Sequence, residues 1–345
     1  MQPKKILIIR FSSIGDIVLT TPVIRVLKQS LKAEVHYLTK KAYHQIVAPN
    51  PYIDKVYVLE DQLSALLPQL KAEAYDYIVD LHHNLRTLRI KWSLRRPTLT
   101  FNKINWQKWL AVNLKWNYLP NQHIVERYLK TLVSLGVQDD GQGLDYFIPE
   151  DQQIDVGVIA DQYFSHHINL RDQLADSHYV ALVIGAAHAT KRMPIAKIVA
   201  ICKKIKGPVL LLGGPDDALS GQEIADSAGD HVINTCGSFK LHQSASLVKQ
   251  AKLVITHDTG LMHIAAAFQK EIISVWGNTI PAFGMYPFYE AGVNRNTIVE
   301  VNGLSCRPCS KIGFKSCPKG HFDCMNKIEE TLIVGQVQEK LLKEF

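Results

Sequence analysis

The run Phe11-Ser12-Ser13-Ile14-Gly15-Asp16 sets an acid just behind an apolar stretch that ends at Arg10. Residues 4–10 have the make-up of a short buried strand, and the apolar spacing from Ile17 through Val23, Ile24, Leu27 and Leu31 is helical. Asp16 therefore falls in a strand–loop–helix junction, with Gly15 allowing a tight turn. Open α/β sheets gather ligands at the carboxyl ends of their strands. A carboxylate there can take a proton from a substrate hydroxyl as a general base. An aspartate at a helix start is equally a cap, and Thr20-Thr21-Pro22 offers a competing start. Spacing alone leaves both readings open.

A second group of chemical residues lies in the other half. His257-Asp258-Thr259-Gly260-Leu261-Met262-His263 follows an apolar strand and opens an alanine-rich helix. Free N–H groups at such a start suit a diphosphate, and Asp258 could hold sugar hydroxyls or act as an N-cap. His263 is open to ligand contact or packing. Gly185-Ala186-Ala187-His188-Ala189-Thr190-Lys191-Arg192-Met193-Pro194 also follows a strand, and Thr190, Lys191 and Arg192 offer a hydroxyl and two cations to phosphate oxygens. The alternative for Lys191-Arg192 is a solvated helix start. Gly213-Gly214-Pro215 turns behind a third strand. No Gly-x-Gly-x-x-Gly follows the first strand and no P-loop occurs, which disfavours ordinary dinucleotide oxidoreductases and P-loop kinases.

The elements that must position these residues read as alternating strands and helices. Strands are expected at 4–10, 34–38, 55–59 and 77–81, then at 179–184, 209–212, 253–256 and 271–275, the texture of parallel, doubly wound sheets. With 345 residues, two lobes fit better than one core. The expected division is a first α/β domain at 1–150, a linker at 151–177, a second α/β domain at 178–327 and a closing helix at 328–345, open to packing back on the first domain. The apolar run at residues 6–9 is too short for a signal-peptide core or a membrane span, so a cytoplasmic location is expected. Lys and Arg number 39 against 32 Asp and Glu, a net +7 that favours anionic partners only weakly.

On the segments 6–28, 75–87, 185–194, 210–217 and 257–267, the sequence resembles the ADP-heptose:lipopolysaccharide heptosyltransferases, glycosyltransferase family nine, over essentially its whole length. The resemblance implies a GT-B type α/β fold, two Rossmann-like domains facing a central cleft, with acceptor on the first and donor on the second. It implies an inverting glycosyltransferase that moves a heptose or related sugar from an ADP-sugar to a lipopolysaccharide core or similar glycan. Asp16 then maps to the base, with Ser13, Gly15, His82, His83 and Arg86 on the acceptor side. Thr190 and Lys191 map to the phosphate clamp, and Gly213, Gly214, Asp258, Thr259, Gly260, Leu261 and His263 to the donor side. No cofactor is implied for catalysis. Many relatives carry a tryptophan where this chain has Met193.

Arg86, Arg89, Lys91, Arg95 and Arg96 form a basic run, followed by Lys103, Trp106, Lys108, Trp109, Lys115 and Trp116. Either the cations meet an anionic glycolipid acceptor and the indoles meet sugar or the inner-membrane interface, or this is a solvated helix with its tryptophans turned inward. Nucleic acid is not expected as a partner. Cys306, Cys309, Cys317 and Cys324, spaced C-x2-C-x7-C-x6-C beside His321, fit either a structural zinc site or reduced packing thiols, while Cys202 and Cys236 read as core. Two rival functions are a nucleotide-sugar epimerase or hydrolase of the same fold, and a non-catalytic carbohydrate- or nucleic-acid-binding module.

Overall fold

The computed structural model describes residues 3–60 and 62–342, so the last three residues of the expected closing helix, 343–345, lie outside the described residues. The chain divides into two compact units. The first holds residues up to 104 with 121–147 and 288–293, and the second holds 105–120, 148–287 and the chain from 294 onward.

In the first unit β1 (Lys5–Ile9), β2 (Glu34–Lys40), β3 (Lys55–Leu59), β4 (Tyr77–Asp80) and β5 (Thr98–Thr100) form one parallel sheet in the order β3-β2-β1-β4-β5. Ile6, Leu7, Ile8 and Ile9 are fully buried, as a central parallel strand covered on both faces must be. The strand order reverses between β1 and β4, and that switch point is where a doubly wound sheet opens a crevice for ligands.

In the second unit β6 (Val180–Val183), β7 (Val209–Leu212), β8 (Val232–Asn234), β9 (Leu253–His257), β10 (Glu271–Trp276) and β11 (Asn296–Glu300) run in the order β11-β10-β9-β6-β7-β8. This is the same winding with one more strand, and its switch point lies between β6 and β9. Both units are thus Rossmann-like. Among the described residues no helix is long and apolar enough to cross a membrane.

Several local features depart from the sequence reading. The single helix expected after Asp16 is two, Ile14–Val18 and Thr21–Leu31, because Thr20 bonds its hydroxyl back to the Ile17 carbonyl and Pro22 starts the second. The segment 151–177, expected as a linker, holds the helices Val156–Phe164 and Ile168–Ala175 within the second unit. Asp155 caps the first of them by accepting from the Gly157 N–H, and Val156, Ile159, Ala160 and Phe164 bury one face at helical spacing. The boundary expected near 150 is also crossed twice. Residues 105–120 belong to the second unit, where Lys115 Nζ donates to the carbonyls of Cys306 at 3.1 Å and Pro308 at 2.7 Å. Residues 288–293 belong to the first, where Ala291 N–H donates to Gly141 O at 2.7 Å. The helix Glu330–Leu342 buries Ile333, Val334 and Val337 in the core of the second unit, where the sequence reading had left packing on the first open.

The helix Thr21–Leu31 is tied down by a buried cation. Arg25, with 1% of its side chain exposed, reaches Asp140 through Nε at 2.7 Å and Nη2 at 2.8 Å, Gly143 O at 2.8 Å, and Asp145. Removing one partner of such a set strands the others in low dielectric, so Arg25→Leu should destabilise the first unit by about 3 kcal/mol. A thermal melt read by circular dichroism checks this, and an unchanged midpoint would show the cluster to be dispensable.

Candidate functional site

The first unit assembles its polar loops at the carboxyl ends of β1 and β4, the two strands of its switch point. Arg10 leaves β1 pointing into the core and is only 8% exposed. Its guanidinium donates to Leu81 O, to the Tyr128 hydroxyl at 3.0 Å and to Ser12 O at 2.8 Å, and pairs with Asp16 Oδ1 at 2.7 Å. Burial works against the charge on Arg10, yet Asp16 and the neighbouring tyrosines more than offset this and its pKa is raised. The other Asp16 oxygen accepts from the Ser13 N–H at 3.1 Å and the Ser13 hydroxyl at 2.7 Å. Asp16 is therefore both things the sequence allowed: the N3 acid of a capping box begun by Ser13, and a partly exposed carboxylate paired with a buried cation. Gly15 is buried beneath it.

The loop after β4 carries His82 and His83. Asp80, fully buried, accepts from both backbone N–H groups, at 3.1 and 2.7 Å, while Lys91 pairs with its other oxygen at 2.9 Å. His83 takes a left-handed φ of 50° and is exposed. His82 sets its ring edge on Phe11, 4.9 Å between centroids, and burial, with Arg10 and Lys103 adding, pushes its pKa down to about 4. It is neutral at physiological pH, and its Nδ1 has no partner among the described residues. Arg86 stands exposed in the first turn of the helix Leu85–Leu94, which Asn84 caps by accepting from the Thr87 N–H. Ser13, His82 and His83 thus lie on the two loops of one switch point, with Gly15 and Asp16 in the short helix Ile14–Val18 that the first loop opens and Arg86 on the helix that follows the second. Arg10 and Asp80, which hold those loops, went unnoticed in the sequence reading. The signal was a charged residue at the end of each buried strand, in KILIIR and YIVD.

The second unit repeats the plan. Lys191, after β6, pairs with Asp258, after β9, at 2.5 Å, and Thr279, after β10, donates to the same carboxylate oxygen at 3.0 Å. Thr259, not Asp258, is the N-cap of the helix Gly260–Ala267, so the capping alternative for Asp258 does not hold. Thr259, Gly260 and Leu261 are half-buried at this helix start, while His263 is turned into the core at 2% exposure. His257, fully buried, accepts the Met193 N–H on Nε2 at 3.0 Å and so fixes the chain just after Lys191-Arg192.

Gly213 and Gly214 have a mainly structural setting. A Cβ on Gly213 would lie 2.8 Å from the Cβ of Asp217, and Asp217 accepts the Gly214 N–H at 2.9 Å and pairs with Arg192 at 3.1 Å. Arg192, engaged there and on Ala186 O at 2.8 Å, braces the loop from behind. Thr190 is 2% exposed, and its hydroxyl accepts the Phe314 N–H at 2.8 Å, so this side chain faces the protein.

That last contact shows what the cysteine-rich segment does. Thr190 N–H donates back to Phe314 O at 3.2 Å, and Arg307 donates to Gly277 O at 2.6 Å and Thr279 O at 2.9 Å. The segment therefore buttresses the loops after β6 and β10. Cys306 Sγ comes within 3.9 Å of His321 Nε2, and among the described residues no three of these side chains draw their ligand atoms to within 4.8 Å of one another. Burial pushes the Cys324 thiol up to about 11. The described residues do bring Glu34, His36 and Glu73 together, but Lys5 at 2.8 Å and Lys55 at 2.6 Å already pair with Glu73.

Two Rossmann-like sheets wound in this way, and the solved structures that share them, define a protein of the GT-B fold. The chain superposes on a family 9 glycosyl transferase from Veillonella parvula with a TM-score of 0.76 at 22% identity, covering 99% of this chain and 98% of that one. With the E. coli ADP-heptose LPS heptosyltransferase II the TM-score is 0.69 at 18% identity, covering 99% of both. Residues 63–317 match the glycosyltransferase family 9 (heptosyltransferase) domain, and the chain belongs to that family; it is a glycosyltransferase. It is also similar to lipopolysaccharide heptosyltransferase 1 of Campylobacter coli, 25% identical across 97% of this chain and 98% of that protein.

His257 gives the second unit a pH dependence of known sign. Burial, with Arg192 adding, holds its pKa down at about 4, against about 6.5 for an unfolded histidine. The stability this neutral ring contributes is complete above pH 6.5 and is lost as pH falls toward 4, by an amount of order 3 kcal/mol. Melting midpoints at neutral and mildly acid pH should fall less for His257→Gln than for the native chain. Equal falls would remove His257 from the account.

Proposed function

We propose that the chain transfers a heptose from an ADP-heptose donor to a lipopolysaccharide core, with inversion at the anomeric carbon. The observation that carries the chemistry is the Asp16 carboxylate, partly exposed at the first switch point and paired with Arg10 at 2.7 Å. The substrates come from the relatives, named as heptosyltransferases of lipopolysaccharide and, in the E. coli structure, of ADP-heptose.

In this reading Ser13, Gly15, His82, His83 and Arg86 take the acceptor on the first unit. Asp16 removes the proton of the attacking hydroxyl as that oxygen bonds to the anomeric carbon and the bond from that carbon to the diphosphate oxygen breaks. On the second unit the N–H groups that open the helix Gly260–Ala267 and the Lys191 ammonium meet the charge that builds on the leaving diphosphate. Lys191 pairs with Asp258 at 2.5 Å. A diphosphate that draws Lys191 toward itself leaves Asp258 an acceptor for sugar hydroxyls. Thr190, Gly213 and Gly214 contribute through loop shape, and His263 through packing in the core.

Asp16→Asn keeps the size of the side chain and an acceptor for Ser13 but removes the base. Its kcat should fall by roughly 10²–10⁴-fold with donor affinity little changed, while the melting temperature drops because the buried Arg10 loses its charged partner. Turnover within a few-fold of native would reject the role. Lys191→Ala should weaken ADP-heptose binding in calorimetry by about tenfold, the scale of a lost charge-assisted hydrogen bond. An unaltered affinity would count against the clamp.

A further inference from the structure

The helix Leu85–Leu94 carries a face that neither the core nor the transfer chemistry uses. Thr87, Ile90 and Leu94 are buried, so the helix is anchored on one side. On the other, Leu85 is 80% exposed, Leu88 56% and Trp92 76%. Positions 85, 88 and 92 follow three- and four-residue spacing and make one stripe. Arg86 and Arg89 flank it, and Arg95 and Arg96 close the carboxyl end. All four arginines are exposed, and none is ion-paired among the described residues. Lys91, the other cation of the run, is spent on Asp80.

Three large apolar side chains standing in water beside unpaired arginines match the face of a helix that lies in a membrane interface, with an indole at headgroup depth and cations toward anionic lipid. A ten-residue helix with three apolar contacts offers too little area for a stable protein interface, whereas a bilayer needs only shallow insertion and charge. The helix begins at Asn84, the residue after His82-His83, so this face starts beside the acceptor loop.

We propose that the outward face of the helix Leu85–Leu94 docks on an anionic bilayer surface, with Leu85, Leu88 and Trp92 inserted and Arg89, Arg95 and Arg96 on lipid phosphates. The inference deepens the function proposed above and rests on it for the lipid anchor of the acceptor. Docking lets the enzyme meet its acceptor by diffusion along the surface, with the His82-His83 loop held near the headgroups.

The test is sedimentation of the full chain with phosphatidylcholine vesicles, with and without added phosphatidylglycerol. The chain should partition onto the anionic vesicles alone, and less as salt is raised. Leu88→Gln with Trp92→Gln, and separately Arg89→Gln with Arg96→Gln, should each lower the partition coefficient about tenfold with unchanged melting temperatures. Turnover of a delipidated core oligosaccharide should stay native in both variants, while turnover of the same core in anionic vesicles falls. Equal binding to both vesicle types, variants that bind as the native chain does, or loss of turnover on the soluble acceptor would each overturn the proposal, the last by making this face a contact for glycan. Vesicle binding requires no donor, so absence of transfer to either acceptor would count against the proposed reaction and leave the docking result intact.

Discussion

The switch point of the first unit is organised around the buried guanidinium of Arg10. Arg10 leaves a strand that is apolar on both faces and spends its guanidinium on Leu81 O, Ser12 O, Tyr128 and Asp16. These contacts fix both loops of the switch point and set a carboxylate at its edge. A guanidinium in low dielectric is costly to leave unpaired, so the fold holds Asp16 in place as firmly as it holds Arg10. The polar loops are therefore formed before any ligand arrives, which is what a positioned base requires.

The second unit solves the complementary problem of receiving negative charge. It keeps Lys191 on Asp258 and holds the surrounding loops by hydrogen bonds from other groups: His257 on Met193, Thr190 with Phe314, Arg307 on the carbonyls after β10. Much of the cationic equipment near the site is engaged in structure. Arg192 braces Asp217 and Ala186, and Lys115 caps carbonyls of the cysteine-rich segment, which leaves Lys191 and the N–H groups opening the helix Gly260–Ala267 as the groups suited to a diphosphate.

Much of this was legible in the sequence because buried parallel strands write themselves as apolar runs and their carboxyl-end loops as Gly, Ser, Asp and His. What escaped has physical reasons. The edge strands β5, β8 and β11 are three to five residues long and partly exposed, too short to show a period. The helix Val156–Phe164 hid among polar residues although its apolar spacing is helical. The excursions of residues 105–120 and 288–293 are held by long-range contacts, such as Lys115 on the Cys306 and Pro308 carbonyls and Ala291 on Gly141, that no local pattern can show. The hydroxyl of Thr190 looked free for phosphate because its partner, Phe314, lies 124 residues away. The cysteine spacing, open to zinc or to packed thiols, could not show that the segment also braces two loops through Arg307 and Phe314. The tryptophans expected either inward or at an interface turn out exposed, Trp106 at 67% and Trp116 at 55%, with Trp106 stacked on Trp109.

The account stands on direct displacement at the anomeric carbon by a hydroxyl that Asp16 activates. Nuclear magnetic resonance of the glycan formed from ADP-heptose and a heptose-free core reads the configuration of the new linkage. A single displacement gives the configuration opposite to that of the donor. A retained configuration would mean a covalent sugar–enzyme intermediate or an equivalent two-step path, and Asp16 could not then be the base of a one-step transfer.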